Sequence, residues 1–194
     1  MKDLSKWQKI TLFLSLAAVM VALRGKHLPG AEFLPDPSLS LFFLAGMLLM
    51  TNILSFTALF LLGFAVDLFA FSNGVNSSCF TLAYWFMLPT YAVMWYGGQY
   101  FRRIADGKWF SLIQLTFILT VSGLLAFNIS TGSFYLLSGH FQNLSLSQYW
   151  EGLIAYLPNY MLTIYMYMGV ALAVYAISRL IARFRQPVFQ GQQY

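Results

Sequence analysis

From Ser38 to Phe71 the chain runs for 34 residues with one charged side chain, Asp67. A membrane span takes about 20 mostly apolar residues, so this run is too long for one span and right for two tight ones joined near Thr51-Asn52. Four further apolar stretches flank it: Trp7 to Leu23, Leu82 to Tyr100, Trp109 to Phe127 and Leu153 to Leu180. The expected fold is therefore all-α, a polytopic membrane protein of six transmembrane helices forming a single domain over residues 1–194. Only 9% of the residues are charged and 59% are hydrophobic, whereas a soluble globular chain carries roughly 25% charged residues. No water-soluble fold hides that much apolar surface, and no length remains for a separate extramembrane domain.

The basic residues orient the helices. With the amino terminus inside and the 34-residue run folded as two spans, Lys2, Lys6, Lys9, Arg102, Arg103, Lys108, Arg179, Arg183 and Arg185 are cytoplasmic. Only Arg24 and Lys26 lie outside, as the positive-inside rule requires. A single span there would move Arg102, Arg103 and Lys108 across the membrane and weaken the asymmetry. Both termini are thus expected inside. The formal net charge of +5 does not point to nucleic acid, because the cations form short clusters between apolar stretches rather than one basic face. The basic start, Met1 to Lys9, resembles a signal peptide, but the apolar run after it exceeds a signal core and no small-residue cleavage site follows.

This topology puts the longer polar connections, Gly25 to Pro37, Ser72 to Thr81 and Ile129 to Glu151, on the outer face. That elaboration points to recognition from outside. His27, His140 and the lone cysteine, Cys79, all lie there.

Asp67, about one turn before the outer end of its span, is the one acid inside an apolar stretch. It is either a functional intramembrane carboxylate or an interfacial acid reaching headgroup water. Cys79 sits in the polar loop Ser72 to Thr81; it is either an apolar filler or a reachable thiolate, a soft ligand for a transition metal and a nucleophile. At helical spacing Tyr84, Leu88, Tyr91 and Trp95 share one face, and Tyr156, Tyr160, Thr163 and Tyr167 another. Two such stripes can line a cavity for a large flat ligand, although helix packing and the interfacial aromatic belt account for several of these residues without one. Ala18 and Ala22 form a small-xxx-small pair suited to internal packing or to docking a partner helix. There is no HExxH, nucleophile elbow, P-loop or pair of glutamates. Uphill movement of a solute would then draw on another subunit's ATP or on an ion gradient.

The six spans, the basic amino terminus, the Ala-x-x-x-Ala first helix and the elaborated outer side resemble the substrate-binding S-components of energy-coupling factor (ECF) vitamin transporters. More narrowly, Phe33 to Gly46, Asp67 and Gly74 to Tyr91 resemble the bacterial BtuM-type subgroup, cobalamin (vitamin B12) transporters of the inner membrane. The resemblance implies that Cys79 is an axial ligand to the cobalt of cobalamin, carried as transported substrate, with Asp67 and Tyr84 near the corrin ring. A thiolate over the ring could displace the upper axial ligand, cyanide included, so that decyanation accompanies binding. The tyrosines Tyr91, Tyr156 and Tyr160 suit a broad flat ring with amide edges. An ECF transmembrane scaffold with its ATPases is the implied partner, docking at Ala18 and Ala22, and some members of the subgroup work without one. Two other classes remain open: a small structural protein of a cell-envelope assembly with no small-molecule ligand, and an intramembrane enzyme pairing Cys79 with His27 or His140.

Overall fold

In hydrocarbon every backbone amide and carbonyl must find its partner within the protein, which leaves a helix as the natural state of each apolar stretch. The computed structural model describes residues 5–24, 34–49, 53–72, 81–105, 110–139 and 145–184. Among these residues all regular structure is helical: α1 (Lys6–Leu23), α2 (Ser38–Leu49), α3 (Ile53–Ser72), a 3₁₀ turn (Leu82–Phe86) leading into α4 (Met87–Ile104), α5 (Phe110–Leu137) and α6 (Leu146–Phe184). The long apolar run divides as expected, with α2 ending at Leu49 and α3 beginning at Ile53.

Local chemistry fixes where the helices start. Ser5 and Gln8 form a capping box at the head of α1, each side chain bonding the other's backbone amide. Ser145 and Gln148 repeat it at the head of α6. At α2, Asp36 Oδ1 accepts the Ser38 amide at 2.9 Å, a carboxylate placed at the positive end of the helix dipole.

Four helices, α1, α3, α5 and α6, are long and apolar enough to cross a membrane. They turn large apolar side chains outward: Leu54 on α3 is 73% exposed, Phe117 on α5 69% and Leu162 on α6 66%. Surfaces of that kind match lipid, not water. The chain is thus a multi-pass membrane protein. By contrast, α2 has only 12 residues, about 18 Å of helix, and nine of them are buried.

Helix α2 is the centre of the bundle and α4 is its main partner. Phe42 stacks on Tyr91 with ring centroids 4.4 Å apart and 7° between planes, and Phe56 of α3 meets Trp95 edge-on at 5.5 Å. Glycines set the spacing. A methyl group on Gly46 would overlap the Trp95 carbonyl, and one on Gly98 would overlap the Phe43 carbonyl, so the two backbones touch. Gly97 makes room in the same way for the Ser122 hydroxyl of α5. At the carbonyl end of α2 Arg102, itself buried, donates from Nη1 to the carbonyls of Met47 and Leu48 at 3.3 and 3.4 Å.

Two differences from the sequence expectation stand out. The outer connection expected from Ile129 to Glu151 is largely helical: α5 continues to Leu137 and α6 begins at Leu146. Within it Ser133 Oγ donates to the Ser130 carbonyl, and just before it Asn128 Nδ2 donates to that of Leu124. The residues before Met87 wind as 3₁₀ rather than α; of the first tyrosine stripe, Tyr91 and Trp95 are buried while Leu88, in the first turn of α4, is 44% exposed.

The contact between α2 and α4 predicts a sharp contrast among glycines. Gly98→Ala and Gly46→Ala should each destabilise the detergent-solubilised protein by about 1–3 kcal/mol through overpacking. Gly169→Ala, where nothing lies within 4 Å of the added methyl, should not. Thermal unfolding monitored by loss of the monodisperse peak is the check.

Candidate functional site

Arg24 is the residue around which one end of the bundle is organised. It follows the last turn of α1, bonds its amide to the Met20 carbonyl, and is only 6% exposed. Its guanidinium makes a two-pronged pair with Asp67 of α3, Nε to Oδ1 at 2.7 Å and Nη2 to Oδ2 at 2.6 Å. Nη1 turns to α2 and α4, donating to Ser38 Oγ at 2.5 Å and to the Tyr91 hydroxyl at 2.7 Å, with Asp36 Oδ2 at 3.4 Å. The planar fork of arginine suits this arrangement, which a lysine could not reproduce. Tyr84, in the 3₁₀ turn, donates to Asp67 Oδ2 at 2.7 Å. One cation thus ties together α1, the segment before α2, α2 itself, α3 and α4, and the 3₁₀ turn joins through Asp67.

The carboxylates differ in what they have left to offer. Asp67 has both oxygens engaged and a side chain only 21% exposed, whereas the Asp36 side chain is 51% exposed. Asp36 also accepts from the Ser38 hydroxyl at 2.6 Å. Among the described residues the cluster holds two acids and one arginine.

The cluster lies below the tops of the neighbouring helices. Asp67 is five residues short of the end of α3, about 7 Å of helix. Ser40 Oγ donates to the Ile164 carbonyl, which sets α2 beside the middle of α6, many residues after α6 begins at Leu146. On α6, Tyr167 donates to the Pro35 carbonyl at 2.6 Å. Tyr160 packs edge-on against Phe127 at 4.9 Å. Its buried hydroxyl has no hydrogen-bond partner among the described residues. A buried hydroxyl without a partner is rare enough to need an explanation, and a bound ligand is one.

Of the expected site residues, Asp67, Tyr84 and Tyr91 come together around Arg24, and Tyr160 packs against Phe127. Tyr156, on the far side of Pro158 from Tyr160, is 70% exposed. Ala18 is exposed on α1 and Ala22 half-buried. Cys79, expected to bind cobalt, lies outside the described residues, as do His27 and His140. Among the described residues no three histidine, cysteine or acidic side chains gather as a metal site. Arg24, Asp36 and Ser38 went unnoticed in the sequence. The clue was available: an intramembrane acid needs a partner, and the cation ending the first span lies at the same outer level as Asp67. No family model matches the chain, and no curated protein matches it.

Removing one member of a buried pair leaves the other charge uncompensated, which costs about 3–5 kcal/mol. Arg24→Met and Asp67→Leu should each be destabilising on that scale, and the double variant should recover much of the loss. Unfolding in detergent for all four proteins of the cycle tests it; strictly additive losses would mean that the two side chains do not act as a pair.

Proposed function

We propose that this protein is a cobalamin-binding uptake protein of the bacterial inner membrane, taking its ligand from the outer face. In this reading all six helices cross the bilayer, with both termini inside. The four long apolar helices form the lipid-facing frame, and α2 and α4 complete the bundle as its sheltered core. The cytoplasmic bias of the lysines and arginines supports that orientation, more so because Arg24 is consumed by an internal ion pair and is not a free outer-loop cation.

The observation that carries the reading is the recessed cluster of Arg24, Asp67, Tyr84 and Tyr91, together with a Tyr160 hydroxyl that has no partner among the described residues. Aromatic faces and hydroxyls suit a flat corrin. Asp36, with carboxylate capacity to spare, suits the amide groups at the edge of the corrin. Asp67, saturated by Arg24 and Tyr84, serves as an anchor for the site rather than as a ligand to cobalt. The cobalt ligand is Cys79, whose thiolate could take the upper axial position from cyanide and so couple binding to decyanation. If an ECF scaffold supplies energy, it meets α1, whose Ala18 faces outward.

The test is the visible absorption spectrum of purified protein incubated with cyanocobalamin and freed of excess vitamin. Wild type should retain corrin with a shifted spectrum. Cys79→Ser should lose the shift, and Tyr160→Phe should retain less vitamin with the shift intact. Well-folded wild-type protein that retains no corrin would overturn the proposal and favour a structural role in the envelope.

A further inference from the structure

A polar side chain on the outside of a membrane bundle needs a hydrogen-bond partner that acyl chains cannot supply. On α3 and α5 such side chains find one in their own helix. Thr57 donates to the Ile53 carbonyl, Thr116 to that of Leu112 and Asn128 to that of Leu124, each four residues back. Asn159 on α6 is exposed as well. Its backbone carbonyl is used, accepting from Thr163 at 2.9 Å, but its side-chain amide bonds to none of the described residues.

The depth of Asn159 follows from the packing. The short connection from Ile104 to Phe110 makes α5 antiparallel to α4. Gly97 of α4 meets Ser122 of α5, and five residues further along α5 Phe127 meets Tyr160. In the other direction Gly97 is six residues from Arg103, an exposed cation in the last turn of α4 of the kind that marks the headgroup level. At about 1.5 Å per residue these steps put Asn159 roughly 16 Å from that level, about half of a hydrocarbon core roughly 30 Å thick. An amide left unpaired at that depth calls for a partner outside this chain.

The face of α6 that carries Asn159 lies opposite the one that packs. Leu153, Ile164 and Met168 are buried, with Tyr160, Met161 and Ala171 against the core. On the opposite side Asn159, Leu162, Met166, Gly169, Ala173 and Ala176 are all exposed. They recur at alternating steps of three and four residues, the spacing of a two-helix seam. A methyl on Gly169 would meet nothing within 4 Å, so packing within this chain does not require the glycine. With Ala173 one turn on, it lets a second backbone come close.

The chemistry of Asn159 says what covers this face. Copies of one membrane protein share an orientation, so two of them pair about an axis along the bilayer normal and each seam residue meets its own counterpart. A charged side chain there would repel itself. Asparagine carries donor and acceptor in one group and completes itself across such an axis, and a single asparagine in a helix seam fixes register and strand number. We propose that this protein pairs as a parallel dimer through the back of α6, with Asn159 of one protomer hydrogen-bonded to Asn159 of its partner. One helix face is small beside the roughly 800 Å² per partner of a stable soluble interface. The dimer is therefore reversible and follows the density of protein in the bilayer. The seam shares no residue with the Arg24–Asp67 cluster, so the dimer does not depend on the cobalamin reading.

Single-molecule photobleaching tests it, with the full-length protein carrying one fluorophore on a carboxy-terminal tag in phosphatidylcholine liposomes at a range of protein-to-lipid ratios. Two-step bleaching in wild type should rise with density above the level of chance co-occupancy. Asn159→Leu should weaken association about three- to twentyfold, the range spanned by interhelical hydrogen bonds in membranes. Ala173→Ile, which adds bulk to the seam, should weaken it too. Asn159→Gln keeps the amide and should still pair, and Leu125→Ala, at an exposed position on α5, should match wild type. A monodisperse peak in detergent confirms that each variant folds. Chance-level bleaching of wild type at every density would overturn the proposal. So would a dimer as tight in Asn159→Leu as in wild type, because another face would then hold it.

Discussion

Where water is excluded, an arginine and an aspartate that meet are strongly attracted, and either one alone is a serious liability. One end of this protein is built on that asymmetry. Helix α1 buries Leu16 and Met20 and packs Leu12, Phe13 and Ala17 on the core. Arg24 at its end adds polar ties, through Asp67 in one direction and Ser38 and Tyr91 in another. The cation also stands at the negative end of the α1 dipole and Asp36 at the positive end of the α2 dipole, so helix ends and side chains reinforce one another.

Helix α2 has an arginine from another helix at each end. At its amide end Arg24 acts through Ser38 and Asp36; at its carbonyl end Arg102 takes up the Met47 and Leu48 carbonyls directly. Between them, the backbone contacts at Gly46 and Gly98 leave α2 no freedom to slide along α4.

The apolar runs made the helices legible in the sequence, down to the break between Leu49 and Ile53, because hydrocarbon leaves an apolar segment few alternatives to a helix. Helix ends in polar sequence were less legible. The residues after Phe127 look like loop by composition, yet remain helical because Asn128 and Ser133 bond within the helix. No period in the sequence announces the 3₁₀ turn before Met87, yet Tyr84 within it and Tyr91 beyond it still meet at one cluster, through Asp67 and Arg24. Asp67 stood out because an acid is conspicuous among apolar residues. Arg24 did not, because a cation ending a span reads as a topology signal, and only the meeting of α1 with α3 reveals its other role.

The shortness of α2 bears on how the chain is assembled in a membrane. A segment of 12 residues, about 18 Å long, cannot bridge roughly 30 Å of hydrocarbon by itself. Its carbonyl end waits for Arg102, more than fifty residues later in the chain. The backbone contacts of Gly46 with Trp95 and of Gly98 with Phe43 likewise need α4, so the packing that encloses α2 is completed only by a helix synthesised after it.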